Sequence, residues 1–366
     1  MTGMVLGATL VLWGPVATGP TGQEVNLQTA ASETTVATTT TTAAPVTTIA
    51  PATTTTARRP RPTTTTARAA AVTTAARPRP TTTLVALAAQ VNPNHLYGVG
   101  YVTLSLANGS RQLPTIVRYP TTSAPSGSET QGAAPALAYR PFPLIVFAAG
   151  FNSSPAVYAG LMHAWTSAGY VVAAPSFPLT TMGGPLDEND VVNQPGDLSA
   201  VITSVLDLSA TAGNVLSNLI DAAHIAAAGH SDGGETVMGI AANSCCLDHR
   251  LSAAIEMSGA EIVYPGGRYF PGRTPPLLAV QGDNDPINNY SYGVQIYDDA
   301  PAPKYLLTLL GAGHLEPFTT DTAQLIVTEL CTIDFLNYYL KGRADGISRL
   351  VADAASRGNA KLTYAA

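Results

Sequence analysis

The stretch Ile225-Ala-Ala-Ala-Gly229-His230-Ser231-Asp232-Gly233-Gly234-Glu235 decides the fold. It passes from a short apolar run, through G-x-S-x-G, into a segment with helical spacing. At average Gly and Ser frequencies this pattern alone arises in roughly one chain in ten of this length, so its context carries the argument. A serine between a buried strand and a new helix sits on a sharp turn, where flanking glycines leave room for crowded backbone. The helix then points its first N–H groups at the site, which favours a developing oxyanion.

Outward from this turn, further short apolar runs fall at Leu144–Ala148, Tyr170–Ala174, Ala253–Met257, Leu277–Val280 and Tyr305–Leu310. Continuous apolar runs of this length read as strands buried on both faces. Helical patterns lie at Pro155–Ala168, Asp197–Thr211, Gly233–Ala242 and Asp321–Leu340. This alternation predicts an α/β fold with a mostly parallel central sheet flanked by helices. Ahead of it, Val99–Leu106 and Thr115–Tyr119 read as an antiparallel pair joined through Asn108-Gly109. Residues 342–366 read as a C-terminal tail, a last helix or a frayed end.

A serine hydroxyl is a poor nucleophile until a base takes its proton. Of the six histidines, His314 follows an apolar strand and the Gly311-Ala312-Gly313 turn, at a strand's carboxyl end where open α/β sheets build sites. His95 and His249 read as loop residues, His163 as helical, and His224 as preceding a buried strand. His230, inside the turn, is expected to face away from the chemistry. The acid should lie between Ser231 and His314 and follow a strand. Leu277–Val280 leads into Gln281-Gly282-Asp283-Asn284-Asp285-Pro286, which makes Asp285 the choice over Asp283, a better cap for the turn. Its task is to hold the imidazole tautomer and stabilise imidazolium. Oxyanion donors are expected from the N–H of Asp232 and of Phe151, after Gly150; Phe151 as a core aromatic is the rival reading.

The charge is unevenly spread. Residues 1–92 carry six Arg and two Glu, a balance of +4, which leaves twelve basic and twenty-two acidic residues, or -10, for residues 93–366. A part that acidic is a poor binder of phosphate backbones, so nucleic acid is not an expected partner. Met4–Trp13 is apolar and Ala17-Thr18-Gly19 small, so residues 1–20 read as an export signal or apolar segment, though no Lys or Arg precedes the run. Residues 21–91, almost entirely Thr, Ala, Pro and Arg between Thr34 and Thr83, read as a solvated linker. The expected location is secreted or associated with the cell envelope, the Thr/Pro/Arg linker offering the contact. The compact domain is expected over 92–341. In an exported chain, Cys245 or Cys246 is expected to bridge to Cys331. A metal site is not expected, because adjacent cysteines lack His at zinc-like spacing.

The order of elbow, acid and histidine over Asn92–Leu340 resembles the α/β-hydrolase superfamily. Gly109-Ser110-Arg111 to Arg118-Tyr119-Pro120, together with AGFNSSP at Ala149–Pro155, resembles the branch of chlorophyllases, platelet-activating-factor acetylhydrolases and bacterial polyester hydrolases. The resemblance implies cleavage of carboxylic esters with no cofactor, with Ser231, His314 and Asp285 as triad and Phe151 and Asp232 as oxyanion donors. Ser231 stands where dienelactone hydrolases carry cysteine. No tryptophan occupies Glu256-Met257-Ser258-Gly259, where polyester hydrolases usually place one. The Ser258–Pro275 connection is too short for a lid domain, so the expected cleft is open, with Phe177, Pro178 and Tyr264 as candidate walls. A peptidase or acyltransferase on the same fold, or a displayed module without activity, are the alternatives.

Overall fold

The computed structural model describes residues 96–366. The expected export segment and the whole of the linker lie outside these residues. Ten strands form one sheet in the order β10-β9-β8-β7-β6-β4-β5-β2-β1-β3. The hairpin is β1 (Gly98–Asn108) and β2 (Arg111–Thr121), closed by a two-residue turn at Gly109-Ser110, and the short β3 (Glu129–Gln131) pairs with β1. The centre is β4 (Phe142–Ala148), β5 (Val171–Pro175), β6 (Ile220–His230), β7 (Leu251–Met257), β8 (Leu277–Gly282) and β9 (Lys304–Leu309), all mutually parallel.

Helices cover both faces: α1 (Ala159–Ser167), α2 (Gln194–Ala210), α3 (Asp232–Ala242), α4 (Tyr290–Asp299), α5 (Thr322–Lys341) and α6 (Gly346–Ala355). Alternate strand residues feed two apolar layers, as the pleat requires. Leu144 and Val146 pack with Leu198, Val201, Val237 and Ile296, from α2, α3 and α4. Ile145 and Phe147 pack with Leu161, Trp165, Phe335 and Leu350, from α1, α5 and α6. This is the α/β-hydrolase fold. Chain direction across the sheet reverses between β4 and β6, and at such a switch point the crevice beyond the strand ends is open to a ligand.

The last helix expected within residues 342–366 is α6, and beyond it β10 (Ala360–Ala365) pairs antiparallel with β9, with Tyr364 stacked on Tyr305, so the sheet does not end at 341. One expectation is corrected. Cys331 bridges to neither Cys245 nor Cys246; it is buried as a free thiol, and the adjacent pair is joined to itself. The reason is the sheet. Cys331 lies on α5 in one apolar layer, whereas Cys245 and Cys246 follow α3, which packs in the other. Among the described residues, no helix is long and apolar enough to cross a membrane.

Candidate active site

Ser231 sits between β6 and α3 at φ 58° and ψ -123°, a strained backbone for any residue but glycine. Two hydrogen bonds hold it there: its N–H donates to the Met257 carbonyl (2.9 Å) and its carbonyl accepts from the Glu235 N–H (2.9 Å). The flanking glycines are required by packing. A Cβ on Gly229 would lie 2.1 Å from the Gly233 oxygen, and one on Gly233 would lie 2.1 Å from the Ala148 oxygen. Without side chains at both, β4, β6 and α3 converge closely enough to raise Ser231 above the strand ends.

His314 lies in the loop after β9, and Asp285 in the turn after β8. The His314 Nε2 is 3.0 Å from the Ser231 Oγ, and its Nδ1 is 2.7 Å from the Asp285 Oδ2. His314 and Asp285 are only 9% and 8% exposed, so their contact works in a weakly screened setting. Burial alone would raise the Asp285 pKa. The bond from His314 and the N–H groups of Ile287 (2.8 Å) and Asn288 (2.9 Å), both donating to Oδ1, outweigh it and hold the carboxyl below its ordinary value. An ionised Asp285 fixes the His314 proton on Nδ1 and leaves Nε2 to accept from the serine. Asp283 is exposed; it accepts from the Gly311 N–H (2.6 Å) and so shapes the turn that carries His314.

The loop after β4 reaches the same point, since a Cβ on Gly150 would lie 3.1 Å from the Ser231 Cβ. Phe151 is half-buried beside it, not a core residue. Asp232 opens α3, where the first N–H groups of a helix have no acceptor within it. Phe177 and Tyr264, by contrast, are not cleft walls. Phe177 is in the core, and the buried Tyr264 donates its hydroxyl to the Glu235 carbonyl (2.9 Å); Pro178 is half-buried.

His230 does not face away from this assembly. Its ring centroid is 4.6 Å from that of His314, and its Nε2 is 2.8 Å from the His314 carbonyl. Its Nδ1 is 2.9 Å from the Tyr158 hydroxyl. The position was visible in the motif; its contacts depend on Phe318 and Tyr158, which pack at tilted angles against the ring from elsewhere in the chain. Gln281, whose amide donates to Asp285 (3.1 Å), is likewise a partner that spacing alone does not reveal.

Carboxyls gather beneath the elbow. Burial, with Glu188 nearby, pushes Asp232 up to about 6; burial, Asp232, Glu188 and Glu256 push Glu235 up to about 8. Glu256, fully buried, accepts from the Gly259 N–H, yet burial still drives it from 4.5 up to about 8. Between those values the folded chain holds a proton that the unfolded chain has released. Stability therefore falls as pH rises through this window, by about 1.4 kcal/mol per pH unit for such a group, and levels off above it. Glu256→Gln keeps an acceptor for Gly259 without the charge. Its Tm advantage over the wild type should grow from pH 5 to pH 8 in calorimetric scans; a constant gap would mean that Glu256 titrates normally. Among the described residues no cluster of His, Cys, Asp and Glu has the arrangement to hold a metal ion.

Residues 129–266 match the family model described as Chlorophyllase, a family of the α/β-hydrolase superfamily. The matched stretch contains the Gly150 loop and the Ser231 elbow and ends before Asp285 and His314. It supports the chlorophyllase-like branch and an esterase-type hydrolase. No curated protein matches the chain significantly.

Proposed function

We propose that the chain is a serine hydrolase that cleaves carboxylic esters through an acyl-enzyme. The observation that carries this reading is the continuous hydrogen-bonded chain from the Ser231 Oγ through His314 to Asp285 at the ends of three parallel strands. His314 takes the serine proton at Nε2 as Oγ attacks the ester carbonyl, and Asp285 stabilises the resulting imidazolium. The N–H groups of Asp232 and Phe151 receive the oxyanion. Collapse of the tetrahedral intermediate expels the alcohol, which takes its proton from His314. Water, deprotonated by the same nitrogen, then attacks the acyl carbonyl and frees Ser231. Every step uses side chains, backbone N–H groups and water, so no cofactor enters the reading.

The rim supports esters with an apolar portion. Met182, Leu186, Val263, Ile287 and Leu315 are all exposed. They belong to the connections that follow β5, β7, β8 and β9, on the edge of the sheet that carries Ser231. Several exposed large hydrophobics on one edge favour an apolar ligand there. Export, with the Thr/Pro/Arg segment as a tether to the cell envelope, is part of the proposal; the apolar run Met4–Trp13 and the Thr-rich composition after it support it.

The test is hydrolysis of p-nitrophenyl esters from acetate to palmitate by the full chain. Saturable turnover is expected across the series, with longer acyl groups lowering KM as they reach the apolar rim. A folded protein inactive on every ester would overturn the esterase reading.

A further inference from the structure

His230 takes no part in the proposed reaction, although one peptide bond separates it from the nucleophile. Its side chain is fully buried and bonded at both nitrogens. Burial and the neighbouring His314 lower its pKa to about 3, so the ring is neutral and carries one proton. The His314 carbonyl can only accept, which puts that proton on Nε2 (2.8 Å). Nδ1 is left to accept from the Tyr158 hydroxyl (2.9 Å). Tyr158 thereby fixes the tautomer that the contact to His314 requires.

These bonds close a ring around the reacting atoms. The Ser231 Oγ meets the His314 Nε2 at 3.0 Å, the His314 carbonyl meets the His230 Nε2, and the 230–231 peptide returns to the serine. Further hydrogen bonds hold His314 and its turn from the β8 side: Asp283 to the Gly311 N–H, the Asn284 N–H to the Ala312 carbonyl, and Asp285 to the imidazole; Leu310, where the turn begins, is tied to Asn359 and Gln324. His230 supplies the tie from the β6 side, where the nucleophile is. Tyr158 extends it, since its hydroxyl lies against the Gly150 backbone (3.4 Å from where a Cβ would stand), next to the proposed donor Phe151.

We propose that His230 is a positioning residue: held in one tautomer by Tyr158, it sets the distance between His314 and Ser231 and couples the base loop to the Gly150–Phe151 loop. This rests on the serine-esterase reading. Its effect should appear in the chemical step, because misplacement by about 1 Å costs on the order of 100-fold in rate, while ester binding at the apolar rim is left alone.

The experiment compares wild type, His230→Leu, His230→Gln and Tyr158→Phe as full chains on p-nitrophenyl butyrate. Thermal scans establish the folded fraction, and a fluorophosphonate probe reports the reactivity of Ser231 directly. His230→Leu should lower kcat by about 30- to 100-fold with KM within about twofold. Glutamine, whose amide N–H can reach the same carbonyl, should restore kcat to within about tenfold of wild type. Tyr158→Phe frees the tautomer and should fall between the two, and labelling should slow in step with kcat. A folded His230→Leu with wild-type kcat, or a glutamine variant no better than leucine, would overturn the proposal. If the leucine chain does not fold, Tyr158→Phe decides, and wild-type kcat and labelling there overturn it. Wild type that neither turns over esters nor takes the probe would sink the esterase reading itself; active wild type with indifferent variants sinks only this inference.

Discussion

Replacing Ser231 with alanine is expected to lower ester turnover by about 1,000-fold or more. The substitution removes the atom that His314 activates and leaves water as the only nucleophile. The proposed oxyanion donors and the apolar rim remain, so weak hydrolysis above the uncatalysed rate should persist. Stability should hardly fall. The Ser231 backbone at φ 58° is fixed by hydrogen bonds to Met257 and Glu235, which alanine retains. Steady-state kinetics on p-nitrophenyl esters, with a thermal scan of the same sample, would check both halves. Activity surviving within tenfold of wild type would remove Ser231 from the mechanism.

The second large effect belongs to the acid. Asp285→Asn should reduce kcat by about 1,000- to 10,000-fold at almost unchanged KM. The carboxylate accepts the Nδ1 proton of His314 at 2.7 Å while also accepting from Ile287, Asn288 and Gln281. An amide at this site has one acceptor oxygen for those donors. The backbone N–H groups hold it, the amide nitrogen turns to the imidazole, and His314 is driven to the tautomer whose protonated Nε2 cannot take the serine proton. Asp283→Asn provides the contrast. It retains an oxygen for the Gly311 N–H and should cost less than about tenfold, since an exposed turn bond is worth roughly 1 kcal/mol. The reverse order of effects would make Asp283 the acid.

The central strands are legible in the sequence because they are buried on both faces, so Leu144–Ala148 or Ile225–Ala228 show as unbroken apolar runs. The elements that escape bury little. In α4 only Gly293 and Ile296 are buried, too few for a helical period to stand out, and the edge strand β10 buries only Ala360. For the site, chain order and strand ends are enough to bring Ser231, Asp285 and His314 to one place. The parts that hold them are not local: Tyr158 reaches His230 across 72 positions, and His230 reaches the His314 carbonyl across 84. No spacing encodes such contacts, which depend on how the helices stack. The cysteines fail for a related reason, since the sheet that parts Cys331 from the other two exists only once the chain has folded.

The bridge between Cys245 and Cys246 joins neighbours in the chain and encloses no loop. A cross-link stabilises mainly by restricting the unfolded chain, in proportion to the logarithm of the loop it closes. Here there is almost no such freedom to remove. The bond stiffens one turn beyond α3, and the two apolar layers hold the molecule together with or without it. Reduction is therefore expected to leave both apolar layers as they are and to loosen only the turn where the sulfurs meet.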